Sequence, residues 1–358
     1  MLHKIDFYII KKFLGTFFYA IALIISISIV FDVSEKVDDF MTKEVPMKAI
    51  VFDYYVNFVP YFANLFSGLF TFIAVIYFTS KMAYNTEIIA ILSSGVSFNR
   101  LMRPYIVGAT VIVLFSYVLG NYVIPPANKK RVDFSNMYIG TRKAGFERNI
   151  HRQIEPGIFV YIDSYNASTD VGYKFTAEKF VDKKLVSKLT SDFIKWDREK
   201  KKWTIHEYYI RTIDGNSEKI TRGSAIDTVL NMVPEDYQVI ENIVETMALP
   251  ALNESIDNLK LRGVNTIDYE IEKHKRRSGP FSAFILTIIG VSLASRKIKG
   301  GLGFHLGLGL LLSFSYILFM QVTTVFATSS LLAPWLAMWI PNILYGILAF
   351  YLYRRAAR

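Results

Sequence analysis

Long apolar runs separated by short charged segments dominate the sequence. A bilayer core of ~30 Å needs ~20 helical residues. Six runs reach or approach that length, at residues 13–33, 52–80, 101–124, 281–294, 302–327 and 335–353. The second run contains Pro60, where we expect a tilt or kink, and Pro280 can begin the short fourth run as its first helical residue. Because backbone groups in lipid must bond to each other, each run predicts a transmembrane helix.

The section between the third and fourth runs has a different periodicity. Residues 157–165, 185–196 and 202–213 are rich in β-branched and aromatic residues, with turn signals after the second and third. Frequent turns between such runs are typical of an antiparallel sandwich or jelly roll. From residue 251 to about 277 the pattern is helical again. The sequence therefore predicts an α-helical membrane protein with six transmembrane helices and an inserted all-β, jelly-roll-like domain, divided at 1–124, 125–250 and 251–358.

Basic residues flank the apolar runs and give a formal net charge of +10. This placement favours membrane topology over nucleic-acid binding as the explanation of the charge. With six spans, four basic groups lie on one side, which the positive-inside rule makes cytoplasmic. These groups are Lys4, Lys11 and Lys12; Lys81, Arg100 and Arg103; Arg296, Lys297 and Lys299; and Arg354, Arg355 and Arg358. We therefore expect both termini in the cytoplasm and the β domain on the opposite, outer side of the membrane.

Motifs for catalysis are absent from the sequence. It has no cysteine, which excludes disulfides, zinc thiolate sites and cysteine nucleophiles. It has no Gly-Lys pair, so it lacks a phosphate-binding loop and we do not expect it to hydrolyse nucleotide alone. The histidines lack metal-ligand spacing, and no serine nucleophile motif is present. We predict no catalytic residue, no metal and no cofactor in this chain.

The glycine-rich start of the fifth run, at residues 300–309, could suggest a dinucleotide-binding loop. It follows no predicted strand, however, and it begins an apolar span. The four-residue spacing of Gly303 and Gly307 favours close packing between helices instead.

Charged residues also lie near the predicted outer ends of the spans. Asp32 and Asp53 are close to an interface, which favours ordinary solvated positions over a transport path. The predicted outer bases could attract an anionic amphiphile, or they could contact lipid headgroups. These bases are Lys36, Lys43, Lys48, Arg276 and Arg277.

A short segment at residues 83–103 neither spans a membrane nor has the composition of a loop. Asn85 or Thr86 can cap a helix, Glu87 complements its positive end, and Gly95 can end it in the left-handed conformation. The apolar side chains share one arc, namely Ile88, Ile89, Ile91 and Leu92. Such a helix could dock a soluble partner, or it could lie with its apolar arc in lipid.

The chain resembles the LptF/LptG permeases of the lipopolysaccharide export ABC transporter over nearly its whole length. The most specific match is the Glu-x-x-Ala-x-x-x-x-Gly pattern of Glu87, Ala90 and Gly95. Segments 5–14, 121–128, 275–280 and 334–342 are also similar to the family. The resemblance implies a bacterial inner-membrane protein with three spans, a periplasmic jelly roll and three further spans. It implies pairing with a paralogous LptF/LptG permease and an LptB-like ATPase dimer that holds ATP and Mg.

By this resemblance, residues 84–95 form the coupling helix that inserts into the ATPase. Its implied contact residues are Tyr84, Glu87, Ile88, Ala90, Ile91, Ser94 and Gly95. Lipopolysaccharide is expected to enter a cavity lined by spans one, two and five, and the jelly roll is expected to pass it to LptC/LptA-like proteins. The acidic segment 32–40 departs from the basic residues common in the LptG type. The start of the chain nevertheless favours LptG slightly.

Two other functional classes stay open. A membrane-anchored periplasmic binding or scaffold protein would use its β domain and have passive spans. An intramembrane enzyme acting on lipid is disfavoured because no paired catalytic residues face a span.

Overall fold

A computed structural model describes residues 4–139, 147–166, 169–215, 217–232, 234, 243–261, 265–296 and 301–357. The helices before the sheet are α1 (Lys4–Thr42), α2 (Met47–Leu65), α3 (Ser67–Tyr84), α4 (Glu87–Ser93) and α5 (Phe98–Ile139). Those after it are α6 (Ile243–Thr246), α7 (Leu249–Leu261), α8 (Ile267–Ala294), α9 (Gly301–Thr328) and α10 (Pro334–Ala356). The chain divides into a helical unit of Met1–Ile139, Val244–Leu252 and Ile267–Arg358, and a β unit of Gly140–Ile243 and Asn253–Thr266.

Six membrane crossings can be assigned within the described residues. Helices α1, α5, α8, α9 and α10 are each long and apolar enough to cross a bilayer, and α2 with α3, bent by 60°, gives the sixth crossing when the pair is counted as one span. This confirms the predicted six-span helical protein with an inserted β domain. At 1.5 Å per residue, the 39-residue α1 is roughly 58 Å long, so it extends well beyond the hydrocarbon core.

The bend in the second span lies at Phe66, and the prediction of a kink at Pro60 was wrong. Pro60 lies inside the regular helix Val56–Leu65. Phe66 has φ −91° and ψ −1°, and its carbonyl accepts the first hydrogen bond of α3, from the Phe70 N–H at 3.0 Å. The bend seats Gly68 against α8, where a Cβ would lie 3.1 Å from the Ser282 Oγ. We attribute the position of the bend to this close packing.

Helix α8 forms the centre of the helical unit. In its apolar window 61% of residues are buried, compared with 17% in α1 and 22% in α9. A Cβ at Gly290 would lie only 2.8 Å from the Val75 Cγ1, so α3 and α8 approach closely there. Small residues have this role in membrane helices because lipid provides no hydrophobic force between helices.

The predicted packing role of Gly303 and Gly307 was wrong within the described part of this chain. Cβ atoms built at both positions meet nothing within 4 Å, whereas one at Gly309 would contact the Ile76 side chain. Gly309 is two residues beyond Gly307, about 200° around the helix. Spacing alone identified a common face for the first two glycines, but it could not show which face of α9 is packed.

The β unit contains a six-stranded antiparallel sheet whose strands follow chain order. The strands are β1 (Glu147–Glu155), β2 (Ile158–Asn166), β3 (Val171–Val181), β4 (Lys184–Asp197), β5 (Lys202–Asp214) and β6 (Ser217–Thr228). Trp203 is fully buried, and its Nε1–H donates to the Met232 carbonyl at 2.9 Å. The predicted β runs correspond to β2, β4 and β5. β6 was missed because almost all of its residues are exposed and it lacks apolar alternation.

We expect Gly108→Ala to destabilise the helical unit and Gly15→Ala to be tolerated. An added methyl at Gly108 would lie 2.5 Å from the Cδ1 of the buried Phe13 ring, whereas one at Gly15 meets nothing within 4 Å. Overpacking of this kind costs about 1–3 kcal/mol. Thermal unfolding of the full chain in detergent measures the difference, and equal stability of the two variants would contradict this packing.

Candidate coupling site and outer charge cluster

The short helix α4 lies where the sequence predicted it, between the second and third spans. Thr86 precedes it in the left-handed conformation, with φ 63°, and provides no side-chain cap. The predicted capping by Asn85 or Thr86 was therefore wrong, since the Thr86 hydroxyl donates to the Asn85 carbonyl instead. Gly95 has φ +88° just after the helix, which confirms its predicted role in ending it.

The apolar arc of α4 is divided between the protein core and the surface. Ile88 is fully buried in the main core of the helical unit, and Ile91 is partly buried against the same core. Ile89, in contrast, is 47% exposed and Leu92 is also exposed. The exposed surface of α4 therefore combines apolar and small polar side chains, namely Ile89, Ala90, Leu92 and Ser93, and it is flanked by the exposed Tyr84 at the end of α3 and by Ser94.

Polar contacts connect α4 and its flanks to α1. The Tyr8 hydroxyl donates to the Glu87 Oε2 at 3.4 Å, and the Asn85 Nδ2 donates to the other carboxylate oxygen at 3.3 Å. The guanidinium of Arg100, at the start of α5, donates two hydrogen bonds to the Asp6 carboxylate, at 2.8 and 2.6 Å. The segment from α3 to α5 is therefore held to the first turns of α1 on both sides of α4.

The two chain ends and the loops with basic residues meet at this same end of the helical unit. The Tyr353 hydroxyl donates to the Asn99 Oδ1 at 2.5 Å, and the Arg296 guanidinium donates to the Arg355 carbonyl at 2.7 Å. Sequence analysis placed these basic groups on one side by charge. It could not identify the Asp6–Arg100 pair, because its members are 94 residues apart.

A second polar cluster lies near the other end of α1. Lys36 forms an ion pair with Asp32 and donates to the Tyr54 hydroxyl at 2.6 Å. The Tyr55 hydroxyl donates to the other Asp32 carboxylate oxygen at 3.1 Å. Asp32 is thus partly buried and paired, contrary to the solvated position that the sequence favoured. Asp53 is exposed, as expected.

The remaining predicted bases have different surroundings. Lys43, Lys48 and Arg277 are exposed. Arg276 is buried, and its guanidinium donates to the Glu272 carboxylate at 2.7 Å and to the Met247 carbonyl at 2.7 Å. It therefore joins α8 to the segment before α7, a structural role that the sequence did not predict. Lys36 is likewise engaged within the chain, so the predicted bases do not form one open cationic surface.

Metal ligands are not grouped in the described ranges: no three His, Asp or Glu side chains there lie close enough together to hold an ion. The polar groups that the structure brings together form ion pairs and hydrogen bonds between helices. Their arrangement positions helix ends.

Comparison with protein families agrees with this architecture. The family model described as lipopolysaccharide export system permease LptF/LptG matches residues 7–355. The chain therefore belongs to the LptF/LptG family, a family of transport permeases, and it is a multi-pass protein of the inner membrane. A search of curated proteins returned no match.

We expect Arg100→Gln to destabilise the protein more than Asp6→Asn. Asp6 is only 1% exposed, so losing its bidentate cation leaves a carboxylate in a poorly solvated place, whereas Arg100 can reach solvent after Asp6 is neutralised. The double variant should recover part of the loss of Arg100→Gln. Thermal unfolding in detergent tests this order, and equal effects of both single variants with no recovery would show that the pair does not anchor α1.

Proposed function

We propose that this permease exports lipopolysaccharide by coupling a separate, LptB-like cytoplasmic ATPase dimer to extraction of the lipid from the outer leaflet of the inner membrane. The observation that carries the proposal is the position of α4. It exposes Ile89 and Leu92 next to the chain ends while its Ile88 is buried in the core of the helical unit. A partner that holds the outer face of α4 therefore acts on a helix packed into the membrane unit.

Energy for extraction must come from outside this chain. Moving an acyl chain out of an apolar environment costs ~0.8 kcal/mol per CH₂, so a lipid with several chains has a large barrier to release. The sequence has no phosphate-binding loop. An ATPase that binds α4 more tightly in one state of the permease than in the other can supply the free energy that release of the lipid requires.

The contacts around α4 provide a route for force into the spans. Glu87 accepts a hydrogen bond from Tyr8 of α1, and Arg100 of α5 holds Asp6. A displacement of α4 thus acts on the first and third spans together. We assign the end of the helical unit that carries α4 to the cytoplasm because the basic residues that flank the spans lie there.

The substrate cavity is proposed to form where α1 and α9 flank α3. Both α1 and α9 pack on α3, and both leave most of their apolar surface uncovered. A second, paralogous permease facing these helices would enclose a space lined by apolar side chains. Such a space suits acyl chains, whose burial needs no specific geometry.

The outer end of α1 is proposed to face the phosphorylated head of the lipid. Lys36 lies in the outer part of α1, and its charge is offset by Asp32. Binding of a phosphate there requires Lys36 to exchange Asp32 for the ligand. The permease therefore holds the lipid head weakly at this point, which favours release.

The β unit is proposed to pass the lipid to LptC/LptA-like periplasmic proteins by edge-to-edge strand pairing. β6 is a 12-residue edge strand with an exposed surface that includes Ile220 and Ile226. Unpaired backbone groups on such an edge can accept a further strand from another protein.

The first test of this function is Ile89→Asp, which we expect to abolish ATPase retention without unfolding the permease. Losing the burial of an isoleucine and placing a charge in the interface weakens binding by about tenfold to a hundredfold. Co-purification with the ATPase and lipopolysaccharide-stimulated ATP hydrolysis in proteoliposomes are the measurements. Ile5→Asp, an exposed isoleucine at the same end of the helical unit, is the control.

If both aspartate variants retain the ATPase and support stimulated hydrolysis, α4 is not the docking element. Lipid transfer that persists after α4 is replaced by a polar linker would instead support the scaffold alternative with passive spans.

We also expect Asp32→Asn to strengthen binding of lipopolysaccharide by about two- to fivefold, because a partly screened ion pair contributes up to ~1 kcal/mol. Removing the carboxylate leaves Lys36 available to a phosphate. Asp53→Asn removes an exposed carboxylate and is the control. Equilibrium binding at two salt concentrations measures the change, and weaker binding by Asp32→Asn would show that Asp32 positions Lys36 for the ligand.

A further inference from the structure

A cavity of about 860 Å³ lies between α1, α5, α8 and α10. It is at the end of the helical unit that carries α4 and the chain ends, because its lining includes Asp6, Asn99 and Tyr353. Val107 and Phe350 also line it and are exposed, so the cavity opens to the surface of the spans. Of α1, α3 and α9, the helices proposed to enclose the exported lipid, the described lining includes only Asp6, in the first turn of α1.

Basic side chains line the cavity near the start of α5 and the end of α10. Arg100 and Arg103 are both in its lining, one turn apart at the start of α5. Arg100 is neutralised by Asp6. For Arg103, which is exposed, the described residues provide no carboxylate partner. Arg354 adds a further positive charge beside the cavity, since its guanidinium lies 5.0 Å from the centre of the Phe350 ring.

Apart from Asn99 and Tyr353, the rest of the lining is apolar. It includes Ile106 and Val107 of α5, Ile285 and Ile288 of α8, and Ala349 and Phe350 of α10. A positive charge at one level and aliphatic side chains beyond it are complementary to an amphiphile with an anionic head. A free anion would leave the apolar part of the cavity without an occupant.

We propose that this cavity binds an anionic phospholipid of the cytoplasmic leaflet, with its phosphate at Arg103 and an acyl chain between α5, α8 and α10. The bound lipid fills the groove beside the Asp6–Arg100 pair, next to the segment that carries α4. It is thus a structural lipid of the permease, distinct from the exported one. This assignment does not depend on the proposed coupling to an ATPase.

Gly346 provides a way to block the cavity without changing its charge. It lines the cavity, and a Cβ built on it meets nothing within 4 Å. A large side chain at this position extends into the open space where the acyl chain is placed. Gly303, which also has nothing within 4 Å of its Cβ and is outside the cavity lining, provides a matched control.

The test measures binding of dioleoyl phosphatidylglycerol to the full chain in mild detergent by native mass spectrometry, with dioleoyl phosphatidylcholine for comparison. We expect phosphatidylglycerol to bind more tightly. Arg103→Gln should weaken it by about fivefold, the contribution of one basic residue at a membrane surface. Gly346→Trp should weaken it by about tenfold or more, because an acyl chain loses its buried position. Lys12→Gln and Gly303→Trp should bind as the unchanged chain does.

Photo-crosslinking locates the lipid in the complete transporter complex. Phosphatidylglycerol with a diazirine on its acyl chain should label peptides of α5, α8 and α10, and Gly346→Trp should remove that labelling. Unchanged lipid binding by both Arg103→Gln and Gly346→Trp would overturn the proposal. Labelling confined to other helices, or occupation of the cavity by a partner protein's helix in the complex, would overturn it as well.

Discussion

The position of α1 depends on polar contacts to neighbouring helices near its two ends. Only 17% of its apolar window is buried, so packing alone holds this span less firmly than the others. Asp6 pairs with Arg100 at one end, and Asp32 pairs with Lys36 and two tyrosines toward the other. Charges near lipid are costly unless they are paired. The Asp6–Arg100 pair and the hydrogen bonds to Tyr54 and Tyr55 therefore restrain the height and rotation of α1, while its apolar side stays uncovered for other contacts.

The same arrangement explains why α4 can be only seven residues long and still have a defined position. A helix this short gains little from its own hydrogen bonds. Its place is determined by Ile88 in the core, by the left-handed residues Thr86 and Gly95 at its ends, and by the contact of Glu87 with Tyr8. These constraints orient Ile89 outward. Under the proposed function, docking of the ATPase therefore requires no ordering of α4, and less of the binding energy is lost to ordering this helix.

Apolar run length was sufficient to predict the spans, and β-branched runs with turn signals predicted β2, β4 and β5. Three features were not accessible in that way. The bend at Phe66 reflects packing of Gly68 on α8, and the packed face of α9 was assigned to the wrong glycines. The Asp6–Arg100 pair joins residues far apart in the chain. Each depends on which helices are neighbours, whereas local periodicity reports only which faces are apolar.

The uneven burial of the spans also bears on how a transport cycle can work. Elements that move are drawn from those with few buried contacts. Helix α8 packs on α3, α5 and α10 and is the most buried of the five unbroken spans, whereas α1 and α9 are the least buried of them. Under the proposed function, force on α4 reaches α1 through Tyr8 and Asp6. In such a cycle α1 and α9, together with the second permease, move relative to a rigid group of helices centred on α8. The phospholipid proposed to lie between α5, α8 and α10 fills the cavity within this group of helices and keeps the group rigid.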